Sequence, residues 1–178
     1  MPLVFAALLA VQSSPGDPSL AARIPQLLHT VLAADDGTLE RAAEAEARQI
    51  FLTMAFQPNA MVGVEVASSF VAMVQHQSAE FRKTVLPKLR ANVDRGQADA
   101  VSYAMVYDRS ARDAGRKQLY GESLECSSET STLHEAPIED EAHVNRRRAR
   151  LGLMRLELHT RMAIEHSPAI CAAPPAGK

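Results

Sequence analysis

Apolar side chains recur three or four residues apart through most of the chain, with charged side chains between them. This spacing puts the apolar residues on one face of an α-helix, whereas strict alternation would indicate strands. Between successive helix stop signals, the pattern predicts helices near residues 19–36, 38–56, 61–76, 79–96, 98–115, 140–152 and 154–166. Asp140 is the predicted N-terminal cap of the helix at 140–152. We therefore expect a mainly α protein, with a single compact domain of about five to seven helices over residues 19–166.

Three stretches depart from the helical pattern. Residues 116–138 are short of helical spacing and rich in turn formers, and they predict a small β-hairpin or an extended insertion. Residues 1–18 hold an apolar run followed by Pro and Gly, with no Lys or Arg before it, which predicts a signal-like or disordered segment. Residues 167–178 predict a disordered tail. The localisation stays unknown, since the pattern leaves export to the periplasm or cell exterior and residence in the cytoplasm equally open.

Composition and charge narrow the class of partner. Apolar residues make up 47% of the chain and aromatic residues only 4%, so the core is built mainly from Ala, Val, Leu and Met. The net charge of −2 creates no overall field that favours nucleic acid. The basic run at 146–150 follows acidic residues at 139–141 and falls where a helix C-terminus favours cations anyway. No later run approaches the roughly 20 apolar residues of a membrane span. We expect no nucleic-acid partner and no membrane span.

Sequence motifs for metals and cofactors are missing. The six His and two Cys form neither HExxH nor CxxC, and no Gly-rich phosphate loop or GxSxG turn occurs. Cys126, in a Ser-rich loop, and Cys171, near the C-terminus, indicate neither a disulfide framework nor a metal-ligand pair. We do not expect Cys126 and His134 to act as a catalytic nucleophile and base. A Ser-rich loop is a poor place to hold two such groups at hydrogen-bond distance. We expect no cofactor and no metal site.

Two polar residues, Gln75 and His76, end the most apolar helix of the chain. Histidine titrates near neutral pH, so His76 at the edge of a core is a candidate general acid or base. The alternative interpretation is a core histidine that is hydrogen-bonded to a backbone carbonyl.

A carboxylate, Asp108, falls on the apolar face of the helix predicted at 98–115. A buried carboxylate costs several kcal/mol unless it has a partner. Helical spacing from Val144 directs Arg147 or Arg148 inward, and the guanidinium fork matches a carboxylate. The sequence therefore predicts a buried pair of Asp108 with one of these arginines, whose donors could instead hold a substrate carboxylate or phosphate.

Several short motifs follow one another in a set order. They are Val74-Gln75-His76, Tyr103-Ala104, Asp108-Arg109, GRKQLYG at 115–121, PIED at 137–140, and Arg147-Arg148 with Gly152-Leu153. The order resembles that of an uncharacterised bacterial domain-of-unknown-function family whose members carry QHAD, DR, QxYGT and RRxxxGL. The resemblance covers roughly residues 60–160, a domain-sized stretch. It implies no established activity, and family members often begin with an export signal.

Two positions depart from the family pattern. Ser78 stands where the family has an acid after Gln-His, and Glu122 stands where it has Thr after Tyr-Gly. If that acid were a catalytic base, this chain would be inactive or would use another base.

Two hypotheses for function follow from these residues. In the first, the protein is a small pocket that binds an anionic small molecule, with possible acid-base chemistry. The catalytic residues would then be His76 and Asp108, and the ligand-binding residues would be Gln75, Arg109, Gln118, Tyr120, Arg147 and Arg148. In the second, the same residues form a buried polar network in a non-enzymatic structural or interaction module. The partner is an unknown small molecule or protein in either case.

Overall fold

A computed structural model describes residues 18–33, 37–53, 63–127 and 132–166, together with Cys171. Within these residues the helices are α1 (Pro18–Ala33), α2 (Gly37–Thr53), α3 (Val64–Val74), α4 (Ala79–Asp94), α5 (Ala100–Asp113), α6 (Val144–Arg150) and α7 (Leu156–His166). Two short strands, β1 (Leu124–Cys126) and β2 (Leu133–Glu135), form an antiparallel hairpin. The predicted mainly α fold and the small hairpin within 116–138 are both confirmed. The predicted N-terminal segment up to residue 17 and, apart from Cys171, the predicted tail lie outside the described residues.

Helix α3 lies at the centre of the core, as its almost wholly apolar sequence predicts. Phe70, Met73 and Val74 are fully buried, and the helix packs against both α1 and α5. Helix α4 packs along α5 and adds Phe81 and Leu89 to the same core. Burial of each such side chain contributes roughly 1.5–3 kcal/mol relative to exposure, so this packing supplies most of the driving force for folding.

Side-chain caps determine where α4 and α5 begin. Ser78 Oγ accepts a hydrogen bond from the Phe81 N–H at 3.2 Å, and Asp99 Oδ2 accepts one from the Ser102 N–H at 2.7 Å. Ser and Asp are favoured at this position because their oxygens satisfy N–H groups that have no partner within the helix. Gln75 and His76, predicted as the last turn of the preceding helix, lie in the connector between α3 and α4.

A disulfide joins the hairpin to the chain beyond α7. Cys126 in β1 is bonded to Cys171, with the two Cα atoms 5.4 Å apart and a sequence separation of 45. The expectation that these cysteines indicate no disulfide is therefore wrong. A pair so far apart in sequence reveals itself only when the fold brings the end of the chain back to the hairpin.

Helix α6 follows a 3-10 turn at Glu141–His143. Asp140, predicted as the cap of this helix, adopts a left-handed backbone conformation with φ of 45° and makes no side-chain capping bond. Its carboxylate lies 2.9 Å from His143 Nδ1 instead. The predicted cap is wrong, because the left-handed turn directs this carboxylate to a side chain rather than to the helix amides.

A second, smaller core holds the C-terminal helices against the hairpin region. Ile138, Val144 and Leu156 are buried together, and α7 contacts both α6 and β2. Across the described residues, each helix is too short or too polar to cross a membrane.

Candidate functional site

Asp108 is fully buried on α5 and binds the backbone of the loop that follows. Its carboxylate accepts hydrogen bonds from the N–H groups of Leu119 at 2.8 Å, Tyr120 at 3.1 Å and Glu122 at 2.9 Å. Backbone amides that converge on one site form a nest that binds an anion. In this protein the anion is the carboxylate of Asp108. Burial raises the pKa of Asp108, while the amide hydrogen bonds oppose that rise.

The predicted pairing of Asp108 with Arg147 or Arg148 is not found. Arg148, only 1% exposed, makes its ion pair with Glu122, with 2.8 Å between Nη1 and Oε1. Arg148 also donates to the carbonyls of Tyr120 and Met154, each at 2.6 Å. Hydrogen bonds from backbone amides offset the cost of burying the Asp108 carboxylate. Such bonds cannot be predicted from residue types.

Arg147 and Gln118 hold the same loop by their own contacts. Arg147 donates to the carbonyls of Leu119 at 2.9 Å and Asp140 at 3.0 Å. The Gln118 side chain accepts from the Ser123 N–H at 2.9 Å and donates to the Ser123 carbonyl at 3.0 Å. Both side chains therefore direct their polar groups at the backbone.

Tyr120 contributes its ring to an aromatic cluster with Tyr103 and Tyr107, at centroid distances of 6.0 and 5.6 Å. The Arg90 guanidinium lies 5.6 Å above the Tyr103 ring and adds a cation–π contact. Burial raises the pKa of Tyr120 above the ordinary value of a phenol.

Gln75, His76 and Arg109 belong to a different neighbourhood. There Arg82, which is 3% exposed, donates to the carbonyls of Gln75 and Gln77 and pairs with Asp113. His76 is half-buried in this connector.

Arg109 is about half exposed and also pairs with Asp113, at 3.4 Å. The structure thus brings Asp108, Gln118, Tyr120, Arg147 and Arg148 around one loop, residues 118–123, and places Gln75 and Arg109 in contacts of the Arg82 neighbourhood.

Ser78, which stands where the resemblance leads us to expect an acid, has a structural role. Ser78 caps α4 and is itself bonded to Glu44, which accepts from its N–H and its hydroxyl at 2.9 Å each. An Asp at this position could also cap α4, but it could not donate a side-chain hydrogen bond to Glu44. Ser78 therefore has a structural role in this chain.

Glu122 and His159 are the functional-site candidates that sequence reasoning missed. The Glu122 side chain is 2% exposed, and its second oxygen lies 3.5 Å from His159 Nε2. Burial, and then the nearby Arg148 charge, lower the pKa of His159. Burial is also the main cause that raises the pKa of Glu122, and the pairing with Arg148 opposes it. The signal for Glu122 was its place after Tyr120 and Gly121, where the resemblance noted in the sequence leads us to expect Thr, whereas His159 had no motif around it.

His159 also faces solvent through an open groove of about 280 Å³, whose lining consists of Met154, His159, Met162, Ala163 and His166. The lining is mainly apolar, apart from its two imidazoles. Nowhere in the ranges that the structure covers do three or more His, Cys, Asp and Glu side chains gather in a way that could hold a metal ion.

Comparison with known proteins gives a family and no activity. Neither a curated protein nor a solved structure matches the chain significantly. The model of one family, described as a family of unknown function, matches residues 22–168. The match extends over most of the chain and confirms the predicted membership in an uncharacterised family. The protein belongs to the DUF6624 family.

Proposed function

We propose that this domain is a non-enzymatic helical module in which Asp108, Gln118, Glu122 and Arg148 form a structural network, and that the network supports α7 as a binding surface. The observation that carries the proposal is the set of partners of Asp108, which are backbone N–H groups of Leu119, Tyr120 and Glu122 in the loop after α5. A carboxylate so engaged and fully buried is not available to a ligand.

The contacts of α7 support this interpretation. Asn145 Oδ1 accepts from the Leu156 N–H at 2.8 Å and so satisfies an amide at the start of the helix. Arg148 binds the carbonyl of Met154 just before the helix, and Glu135 pairs with Thr160 further along it. One side of α7 is thus held by hydrogen bonds from α6 and β2.

Apolar side chains are exposed on α7 and just before it. Leu158, Met162 and Ile164 on the helix, and Met154 in the segment before it, are each 39% to 44% exposed. Contiguous exposed apolar side chains can mark an interaction surface. This supports the assignment of α7 as the surface through which the module acts.

The competing hypothesis is a pocket for an anionic small molecule with acid-base chemistry at His76. The residue types that suggested it are present, but Arg147 and Arg148 direct donors at carbonyls, and Arg148 is also paired with Glu122. Arg109, the exposed arginine of the set, pairs with Asp113.

A thermal-shift experiment separates the two hypotheses. Wild type, Asp108→Asn and His76→Ala are melted alone and with phosphate, sulfate, citrate and succinate. The proposal expects a large fall in Tm for Asp108→Asn. It also expects that no anion raises the Tm of wild type more than that of His76→Ala, since such anions stabilise proteins nonspecifically. An anion that raises the Tm of wild type but not of His76→Ala would overturn it in favour of the pocket.

The disulfide supports a further part of the proposal, that the protein works in an oxidising compartment. Disulfides persist in secreted and periplasmic proteins and are rare in the cytosol. The Cys126–Cys171 bond therefore favours export over residence in the cytoplasm. Mass spectrometry of protein trapped with iodoacetamide directly from cells checks this: two alkylated cysteines would contradict it.

A further inference from the structure

We propose that the groove beside α7 is a binding site for a soft monovalent metal ion, Cu(I), with His159, Met162 and His166 as ligands and Met154 as an additional thioether ligand. The inference rests on the proposed function only in using α7 as the binding surface, and it names the ligand of that surface.

The three helical ligands share one face because of their spacing. Residues 159, 162 and 166 are three and four positions apart in HTRMAIEH, so they fall within about 60° of one another on a helix of 3.6 residues per turn. Met154, in the segment before α7, lines the same groove. Two imidazoles and two thioethers therefore surround one open space.

Both imidazoles have one nitrogen directed at a protein acceptor. His166 Nδ1 lies 2.7 Å from the Met162 carbonyl, and His159 Nε2 lies 3.5 Å from Glu122 Oε2. A histidine that ligates a metal usually donates its other N–H to a carbonyl or a carboxylate, which sets the ring orientation and the tautomer. The arrangement leaves Nε2 of His166 and Nδ1 of His159 as the nitrogens for a metal.

The donor types select a soft ion. Thioether sulfur favours Cu(I), whereas Zn²⁺ is held by thiolate, imidazole and carboxylate in a closed set of four. The groove offers two methionine sulfurs and no carboxylate in its lining. Because Cys126 and Cys171 are bonded to each other, no thiolate from this pair competes for the ion.

The charges around His159 also suit a metal ligand. The charge of Glu122 is balanced by Arg148, with 2.8 Å between Glu122 Oε1 and Arg148 Nη1. The carboxylate can therefore orient the His159 ring without adding an unpaired negative charge beside the metal.

The test is a titration with Cu(I) alone. Cu(I) is supplied as its acetonitrile complex under nitrogen, in competition with bicinchoninate, and thiol reductants are left out because they would open the disulfide. Wild type should bind one Cu(I) per chain, while Met162→Leu and His166→Gln should each bind more than about tenfold more weakly. Met162→Leu is the decisive variant, since it keeps an apolar side chain of similar volume and removes only the sulfur.

Met105→Leu, on α5 away from the groove, is the matched control and should bind as wild type does. In ¹³C-methyl-methionine spectra, Cu(I) should shift the signals of Met154 and Met162 and leave that of the buried Met73 in place. Wild type that fails to compete with bicinchoninate, or Met162→Leu that binds as tightly as wild type, would overturn the proposal. Neither result would affect the structural network, which the melting of Asp108→Asn tests without any metal.

Discussion

Arg148 Nη1 lies 2.8 Å from Glu122 Oε1, and the side chains of both residues are 2% exposed. The pair holds the loop at 118–123 against the start of α7, because Arg148 also binds the carbonyls of Tyr120 and Met154. Buried ion pairs of this kind contribute to how elements dock and are costly to break from one side.

Removal of Arg148 alone should therefore destabilise the protein strongly. We expect Arg148→Met to lower the free energy of unfolding by about 3–5 kcal/mol, since it leaves the Glu122 carboxylate buried without its cation. Urea unfolding followed by circular dichroism measures the change. The exposed Arg150→Met is the control and should stay within about 0.5 kcal/mol of wild type.

The double variant Arg148→Met with Glu122→Gln should recover part of that loss, because the second change removes the unpaired charge. A double variant no more stable than Arg148→Met would contradict the importance of the ion pair.

His159 should titrate below the ordinary value of 6.5 for histidine, since burial and the Arg148 charge both lower its pKa. The unfolded chain then takes up this proton at a higher pH than the native protein does, so the group costs stability as the pH falls through 6.5 towards the native pKa. NMR titration of the His159 ring gives the midpoint directly. In Arg148→Met, examined under native conditions, the midpoint should rise towards that of wild-type unfolded chains. A midpoint at or above 6.5 in wild type would contradict the prediction.

A side chain at Gly121 is disfavoured for two reasons that a pair of variants can separate. Its φ is +80°, and a Cβ placed on it would lie 2.5 Å from Leu156 Cδ1. Gly152 has a similar φ of +69°, but a Cβ there would meet nothing within 4 Å. We expect Gly152→Ala to cost about 1–2 kcal/mol from backbone strain alone, and Gly121→Ala to cost about 1–3 kcal/mol more from overpacking against α7. Equal losses in urea unfolding would show that Leu156 does not press on this glycine.

Loss of the disulfide should weaken the C-terminal part of the domain. The bond closes a loop with a sequence separation of 45 residues, for which chain entropy gives about 4 kcal/mol. We expect the double variant Cys126→Ser, Cys171→Ser to unfold at lower urea than wild type, and expect a reducing agent to destabilise wild type without changing the variant. Identical unfolding of the two proteins under oxidising conditions would contradict the stabilising role.

The helices could be predicted from sequence because apolar side chains recur in each of them with the helical period. The same reasoning put Asp108 on a buried face of α5, where the structure has it. Its partners could not be predicted, because the amides of Leu119, Tyr120 and Glu122 are backbone groups that any residue would supply.

For the other site residues too, the position could be predicted from sequence but the partners could not. Arg148 was picked out by its spacing, but its ion pair with Glu122 joins positions 26 residues apart, across a loop and a hairpin. His159 lies on the exposed helix whose apolar residues suggested only packing, and its link to Glu122 depends on how α7 docks. Long-range pairs of this kind, including Cys126 with Cys171, arise from tertiary structure and leave no local pattern.

The bond between Cys126 and Cys171 turns the chain between them into a covalent ring that includes β2, α6 and α7. A single protease cut anywhere in this ring leaves both fragments attached, so a nicked molecule would still carry α7 and its groove. Nicked protein should migrate as one species on a non-reducing gel and as two after reduction. The groove helix is thus retained through backbone damage that would release it from an open chain.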